Sequence, residues 1–156
     1  MLDLLDVLKA LANSTQFTSD LIRPYFADID LVLVAELTSD SLGAYMAEMS
    51  TILMCPYSIW MASVENKLAY DYLLVRVLAH EFRHAQQFVD ETLPAVDPYA
   101  YSKADGTVDF DKYKTDRGEI DAVDYADAVM NRINKTTTMS DIAEYINYKW
   151  RIQRLG

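Results

Sequence analysis

"VLAHEFRHAQQF", residues 77–88, holds both histidines of this 156-residue chain, His80 and His84, with Glu81 directly after the first. Residues four apart on a helix share one face, about 5–6 Å apart at Cβ, so both imidazoles can reach a single ion. Zinc accepts neutral imidazole nitrogens and, in hydrolytic sites, leaves one position for water. Glu81 faces that same opening, where it can take the water's proton. Shuffling this composition sets two histidines four apart about once in 80 arrangements, and adds the glutamate about once in two thousand. The competing account is a surface helix that carries these residues by accident. Leu74, Val77, Leu78 and Phe88 argue against it, because they embed the motif in an apolar pattern with both histidines on its inward side.

Working outward, the helical period holds from about Val64 to about Asp90, with Ser63 as N-cap and Pro94 just past the end. Upstream, "DIDLVLVAEL" (28–37), "SLGAYMAEM" (41–49) and "STILMCPYSI" (50–59) read as strands, with turn-forming Ser39, Asp40 and Gly43 between the first two. Together they predict a small, mostly antiparallel sheet. Leu4, Leu5, Leu8 and Leu11 give the first dozen residues a helical stripe, and "TSDLIRPYF" (18–26) is a short helix disturbed by Pro24. Downstream, 95–117 is rich in tyrosine and aspartate, and Asp105-Gly106 would suit a hairpin turn. A helix from about Gly118 carries Glu119, Ala122, Val123, Ala126, Val129, Met130 and Ile133 on one side, and Ser140 caps a last helix to about Leu155. Helices, then strands, then helices predict one α+β domain over 1–156, its sheet packed on the motif helix.

Composition narrows the partners. Half the residues are hydrophobic, so the chain is globular. A formal net charge of −10 argues against nucleic-acid backbone binding, which needs positive charge to displace counterions. The one basic cluster, "KWRIQR" (149–154), suits the C-terminal end of a helix dipole. The single cysteine, Cys55, fits a reducing compartment. "MLDLLDVLKAL" reads as an amphipathic helix rather than a signal peptide, and no apolar run is long enough for a bilayer. The expectation is a cytoplasmic protein without a membrane partner.

A hydrolytic zinc site needs a third protein ligand, and no histidine remains for it. The HExxHxxGxxH pattern of metzincins is therefore excluded. A di-iron site is excluded too, because it needs the Glu-x-x-His pair on two helices. Glu119, in "YKTDRGEIDAVDYA" (113–126), opens a helix whose Ala122 and Ala126 allow close approach to a neighbour. Its bland reading is an acidic residue favoured by the dipole of a first turn. Asp109, in "GTVDFDKY" (106–113), and Cys55 are the rivals.

"LAHEFRHAQQ" (78–87) followed by "RGEIDAVDYA" (117–126) resembles the small gluzincin-type zincin metallopeptidases of bacterial and phage genomes, the ImmA/IrrE regulatory proteases among them. Their second motif commonly reads E-x-x-A-x-x-[FY]-A, which Glu119, Ala122, Tyr125 and Ala126 match. The resemblance spans roughly 77–126 in two short blocks. It implies a minimal zincin fold and a Zn²⁺ held by His80, His84 and Glu119. It also implies a protein or peptide substrate paired with an edge strand, for which "STILMCPY" (50–57) is the expectation. In the implied endopeptidase, Glu81 moves a proton from the attacking water to the leaving amine. An oxyanion donor must come from elsewhere; Tyr113 and Arg117 are the first candidates, and Tyr99, Tyr101 and Tyr125 follow. Asp90, Asp116, Asp121 and Asp124 are available to orient the imidazoles. The alternative is a metal-binding regulatory or interaction module without peptidase activity, which would keep the histidines but would not need Glu81.

Overall fold

The structure, a computed structural model, describes residues 2–37, 41–96, 103–107 and 109–155. Helix α1 (Leu4–Asn13) begins with a reciprocal cap: the Asp6 amide donates to the Asp3 side chain at 2.8 Å and the Asp3 amide to Asp6 at 3.1 Å. A 3-10 turn over Arg23–Asp28 absorbs Pro24 and leads into strand β1 (Asp30–Leu33). Strands β2 (Gly43–Met46) and β3 (Thr51–Met54) follow, then helices α2 (Pro56–Glu65) and α3 (Tyr70–Val89). A single turn, α4 (Phe110–Tyr113), precedes α5 (Arg117–Ile133) and α6 (Thr137–Leu155). The architecture is α+β, as expected. No helix among the described residues is long and apolar enough to cross a membrane.

The sheet is mixed rather than mostly antiparallel. Its order is β1-β3-β2, with β3 parallel to β1 and antiparallel to β2. Strand β3 is central because Thr51, Ile52 and Met54 are all buried, as befits a strand covered on both faces. The edge beside α3 therefore belongs to β2, not to the 50–57 segment. All three strands are shorter than the apolar runs that announced them. The third ends at Met54 because Pro56 occupies the first turn of α2, where its fixed φ and missing N–H cost nothing.

The single helix expected over 64–90 is two helices. Lys67 takes the left-handed conformation (φ +54°), and the Leu68 and Lys67 amides donate back to the Ser63 and Val64 carbonyls at 2.9 and 3.3 Å. That pattern closes a helix without a glycine. Ser63 lies buried inside α2, its hydroxyl donating to the Trp60 carbonyl, so it caps nothing. Nor does Ser140 cap the last helix: α6 starts at Thr137, and the Thr136 hydroxyl accepts from the Met139 amide. Asp105-Gly106 does form a turn, with Gly106 at φ +85° and the Lys103 amide donating to the Thr107 carbonyl. No strand flanks it among the described residues. Ser39 and Asp40 lie outside those residues.

Helix α3 is the axis of the molecule. Leu74, Leu78, Phe82 and Ala85 are fully buried, and the helix packs against β2, β3, α2, α5 and α6. Phe82 sits edge-on between Phe26 and Tyr125, with ring centroids at 5.5 and 6.4 Å. Each such burial contributes about 1.5–3 kcal/mol. Phe88, expected in this core, is 62% exposed instead. Strand β2 approaches α3 closely at Gly43, where an added Cβ would stand 2.9 Å from Val77 Cγ1 and 3.1 Å from Glu81 Cγ. Gly43→Ala should therefore cost about 1–3 kcal/mol by overpacking. In a chain of this size that is a fall in Tm of about 2–12 °C, readable by scanning calorimetry. An unchanged Tm would show that the strand moves away freely.

Candidate metal centre

Two turns of α3 and the first turn of α5 converge on one point. His80 Nε2 and His84 Nε2 are 3.2 Å apart. Glu119 spans them, with Oε2 at 3.0 Å from His80 Nε2 and Oε1 at 3.2 Å from His84 Nε2. Ala122 and Ala126, fully buried, let α5 pack closely on α3. The Asp116 side chain accepts from the Glu119 amide at 3.1 Å, capping α5 and leaving the Glu119 carboxylate to turn inward.

The imidazoles and the carboxylates beside them could hold a metal ion. Tetrahedral zinc with ligand bonds of about 2.0–2.1 Å separates its ligand atoms by about 3.3–3.4 Å. The two imidazole nitrogens, 3.2 Å apart, and Glu119 Oε2, 3.0 Å from His80 Nε2, lie just inside that spacing, with the other Glu119 oxygen 3.2 Å from His84 Nε2. Glu81 also belongs to the cluster, since His80, Glu81 and His84 offer ligand atoms within 4.8 Å of one another, a group that could hold a metal ion. Glu119 is nonetheless the closer carboxylate, in direct contact with both imidazoles.

Electrostatics follow the geometry. Burial on its own would raise the Glu119 carboxyl, but hydrogen bonds from His80, His84 and Tyr113 outweigh it and hold the group well below the usual carboxylate range. Burial would lower His84, yet its hydrogen bond to Glu119 and the charges of Glu81 and Glu119 bring it up to about 9. Glu81 is pushed upward by burial, a shift that His84 and His80 only partly oppose.

His84 is oriented by a residue that sequence reading did not single out. Gln87 donates through Nε2 to the Gly118 carbonyl and to Asp121 Oδ2, each at 2.8 Å. Its Oε1 therefore faces His84 Nδ1 at 2.8 Å and can only accept, which places a proton on Nδ1 and turns Nε2 toward the centre. Asp121 in turn takes a two-pronged bond from Arg83, at 2.7 Å from Nε and 3.1 Å from Nη2. The same guanidinium donates to the Phe17 carbonyl and to Gln86 Oε1, and stacks over Tyr125. Of the four aspartates considered, only Asp121 reaches an imidazole, and it does so through Gln87. Asp90 binds Ser19 and Thr92, Asp116 is a helix cap, and Asp124 is exposed. The available signal was spacing: Gln87 lies three residues past His84 on the same helix face.

The remaining candidates divide cleanly. Tyr113 is at the centre, its hydroxyl donating to Glu119 Oε2 at 2.6 Å. Arg117 is not: it is exposed and absent from the cavity wall, because a residue two before Glu119 on a helix points to another side. Asp109 caps α4, accepting from the Asp111 amide at 3.1 Å, and takes no part in the cluster. Cys55 is buried away from the cavity beside Ala35 and Ser58. Tyr125 is buried against Thr18. Tyr99 and Tyr101 lie outside the described residues.

The centre opens into a cavity of about 700 Å³, walled on one side by β2 and on the other by residues from the end of α3 through Val96. No protein-family profile, curated protein or solved structure matches the chain.

Proposed function

We propose that the chain is a zinc-dependent metallopeptidase that hydrolyses peptide bonds within extended substrates. One observation carries the reading: a carboxylate 39 positions downstream bridges both imidazoles of the HExxH helix, with a second, buried carboxylate beside them. His80 Nε2, His84 Nε2 and Glu119 are the groups that would hold the ion. When bound, zinc supplies a Lewis acid that brings the pKa of a coordinated water to about 7.

The chain's own residues supply the rest. Glu81, buried beside both imidazoles, takes the proton of the attacking water and returns it to the leaving nitrogen. Of the two first oxyanion candidates only Tyr113 lies at this point; its one O–H, given to Glu119 at rest, would have to turn to the oxyanion. Gln87 fixes the tautomer of His84. The substrate backbone has an edge to pair with. In the β2–β3 ladder the Cys55 amide donates to the Leu42 carbonyl, so Leu42, Ala44 and Met46 bond inward to β3. Hydrogen-bonded pairs alternate in an antiparallel ladder. Gly43 and Tyr45 therefore turn their amides and carbonyls outward, along the cavity.

Metal analysis of the purified protein tests the donor set. Wild type should carry one zinc per chain. Glu119→Ala should lose affinity beyond the about 10–100-fold that removal of an outer hydrogen-bond partner costs. Asp109→Ala should bind as wild type. Equal affinity in all three would overturn the assignment of Glu119.

A further inference from the structure

The cavity beside the candidate centre is lopsided. On its β2 side, Gly43 has no side chain and lies over Val77 and Glu81, while Tyr45 meets the ring of Phe88 edge-on at 6.4 Å. Gly43 and Tyr45 are two apart in a strand, so both look to the same face of the sheet, toward α3. Phe88 stands one turn past His84 on α3 and is 62% exposed, a large apolar ring left uncovered next to the donor set. Leu93, Ala95 and Val96, beyond the helix end, line the same cavity. Among the described residues three carboxylates line the cavity, Glu81, Glu91 and Glu119, and no Lys or Arg does so.

We infer that this groove selects extended peptides carrying a large apolar side chain, aromatic above all, at the residue that pairs with Tyr45. The inference rests on the metallopeptidase reading and adds a substrate class to it. Residues directly opposite on neighbouring strands point to the same face and touch. A peptide residue opposite Gly43 is thus held over Glu81, and one two positions along is delivered against the Tyr45–Phe88 pair. Covering exposed Phe88 with another ring removes apolar surface from water on both partners. An acidic side chain gains nothing there and enters a cavity lined by Glu81, Glu91 and Glu119. A basic one gains only what an exposed ion pair offers, so the apolar contact dominates the choice.

The test uses the full chain loaded with zinc and carrying Glu81→Gln, so that peptides are held without being cut. A positional-scanning library of octapeptides, read by fluorescence anisotropy, should show about tenfold or greater preference for Phe, Tyr or Leu over Asp and Gly at one position. Adding Phe88→Ala, an exposed site that leaves the core intact, should erase that preference without changing zinc affinity. Peptides bound with no side-chain preference, or a preference that survives Phe88→Ala, would overturn the inference. Wild-type digestion of the same library separates the two claims. Cleavage without an aromatic preference keeps the peptidase and removes the selectivity. Aromatic-selective binding without cleavage keeps the groove and removes the peptidase. Neither binding nor cleavage overturns both.

Discussion

Glu81→Gln is expected to keep one zinc per chain while lowering peptide hydrolysis by about 10²–10⁴-fold, the usual worth of a positioned general base. Glutamine matches glutamate in volume, which matters at a position only 6% exposed, so the fold should survive. The amide cannot accept the proton of the attacking water. Zinc content is the control that separates roles. Glu119 touches both imidazoles, whereas Glu81 stands within 4.8 Å of them, so the ion should not depend on Glu81. Turnover that persists unchanged would remove the catalytic base from the mechanism. Loss of zinc in the variant would make Glu81 a ligand instead.

Arg83→Leu is the second large effect, and it acts on stability. Arg83 is 5% exposed, and its guanidinium serves Asp121, the Phe17 carbonyl and Gln86 at once. Its removal takes the side-chain donor from the Phe17 carbonyl and leaves Asp121 to Gln87 alone and Gln86 Oε1 to the Ser19 amide alone. Breaking a buried pair by taking one partner costs about 3–5 kcal/mol. At this chain length that is a fall in Tm of about 6–20 °C. Arg83→Lys should recover little of it, because one ammonium cannot reproduce a two-pronged bond to Asp121 together with the two other contacts. A Tm within about 3 °C of wild type for Arg83→Leu would mean that water repairs the gap.

The parts of the site that sequence made legible are those set by local geometry. His80 and His84 share a face because four residues make about one turn, and Glu81 follows from adjacency. Ala122 and Ala126 mark the close helix contact that brings Glu119 against both imidazoles. What escaped depends on partners far along the chain. Arg83 and Gln87 are bound to Asp121, 38 and 34 positions away, and nothing local announces such bonds. Sheet order is likewise non-local, so the central β3 was mistaken for the edge. Phe88 fits the apolar period of α3 but lies where the helix has run past its cover. The break at Lys67 was hidden because a left-handed helix end usually advertises itself with glycine, and here a lysine adopts it. Apolar runs overstated the strands, since burial continues from Met54 through Cys55 into α2 while the hydrogen-bond ladder stops.

The donors of the centre come from two helices, and that has a thermodynamic consequence. In the unfolded chain, Glu119 is a long flexible loop away from the histidine pair, so the three meet only in the native state. A cation held there acts as a cross-link that the solution can add or withdraw. At a free concentration 100 times its dissociation constant it would stabilise folding by about 2.7 kcal/mol. The persistence of the fold would then follow the supply of the ion.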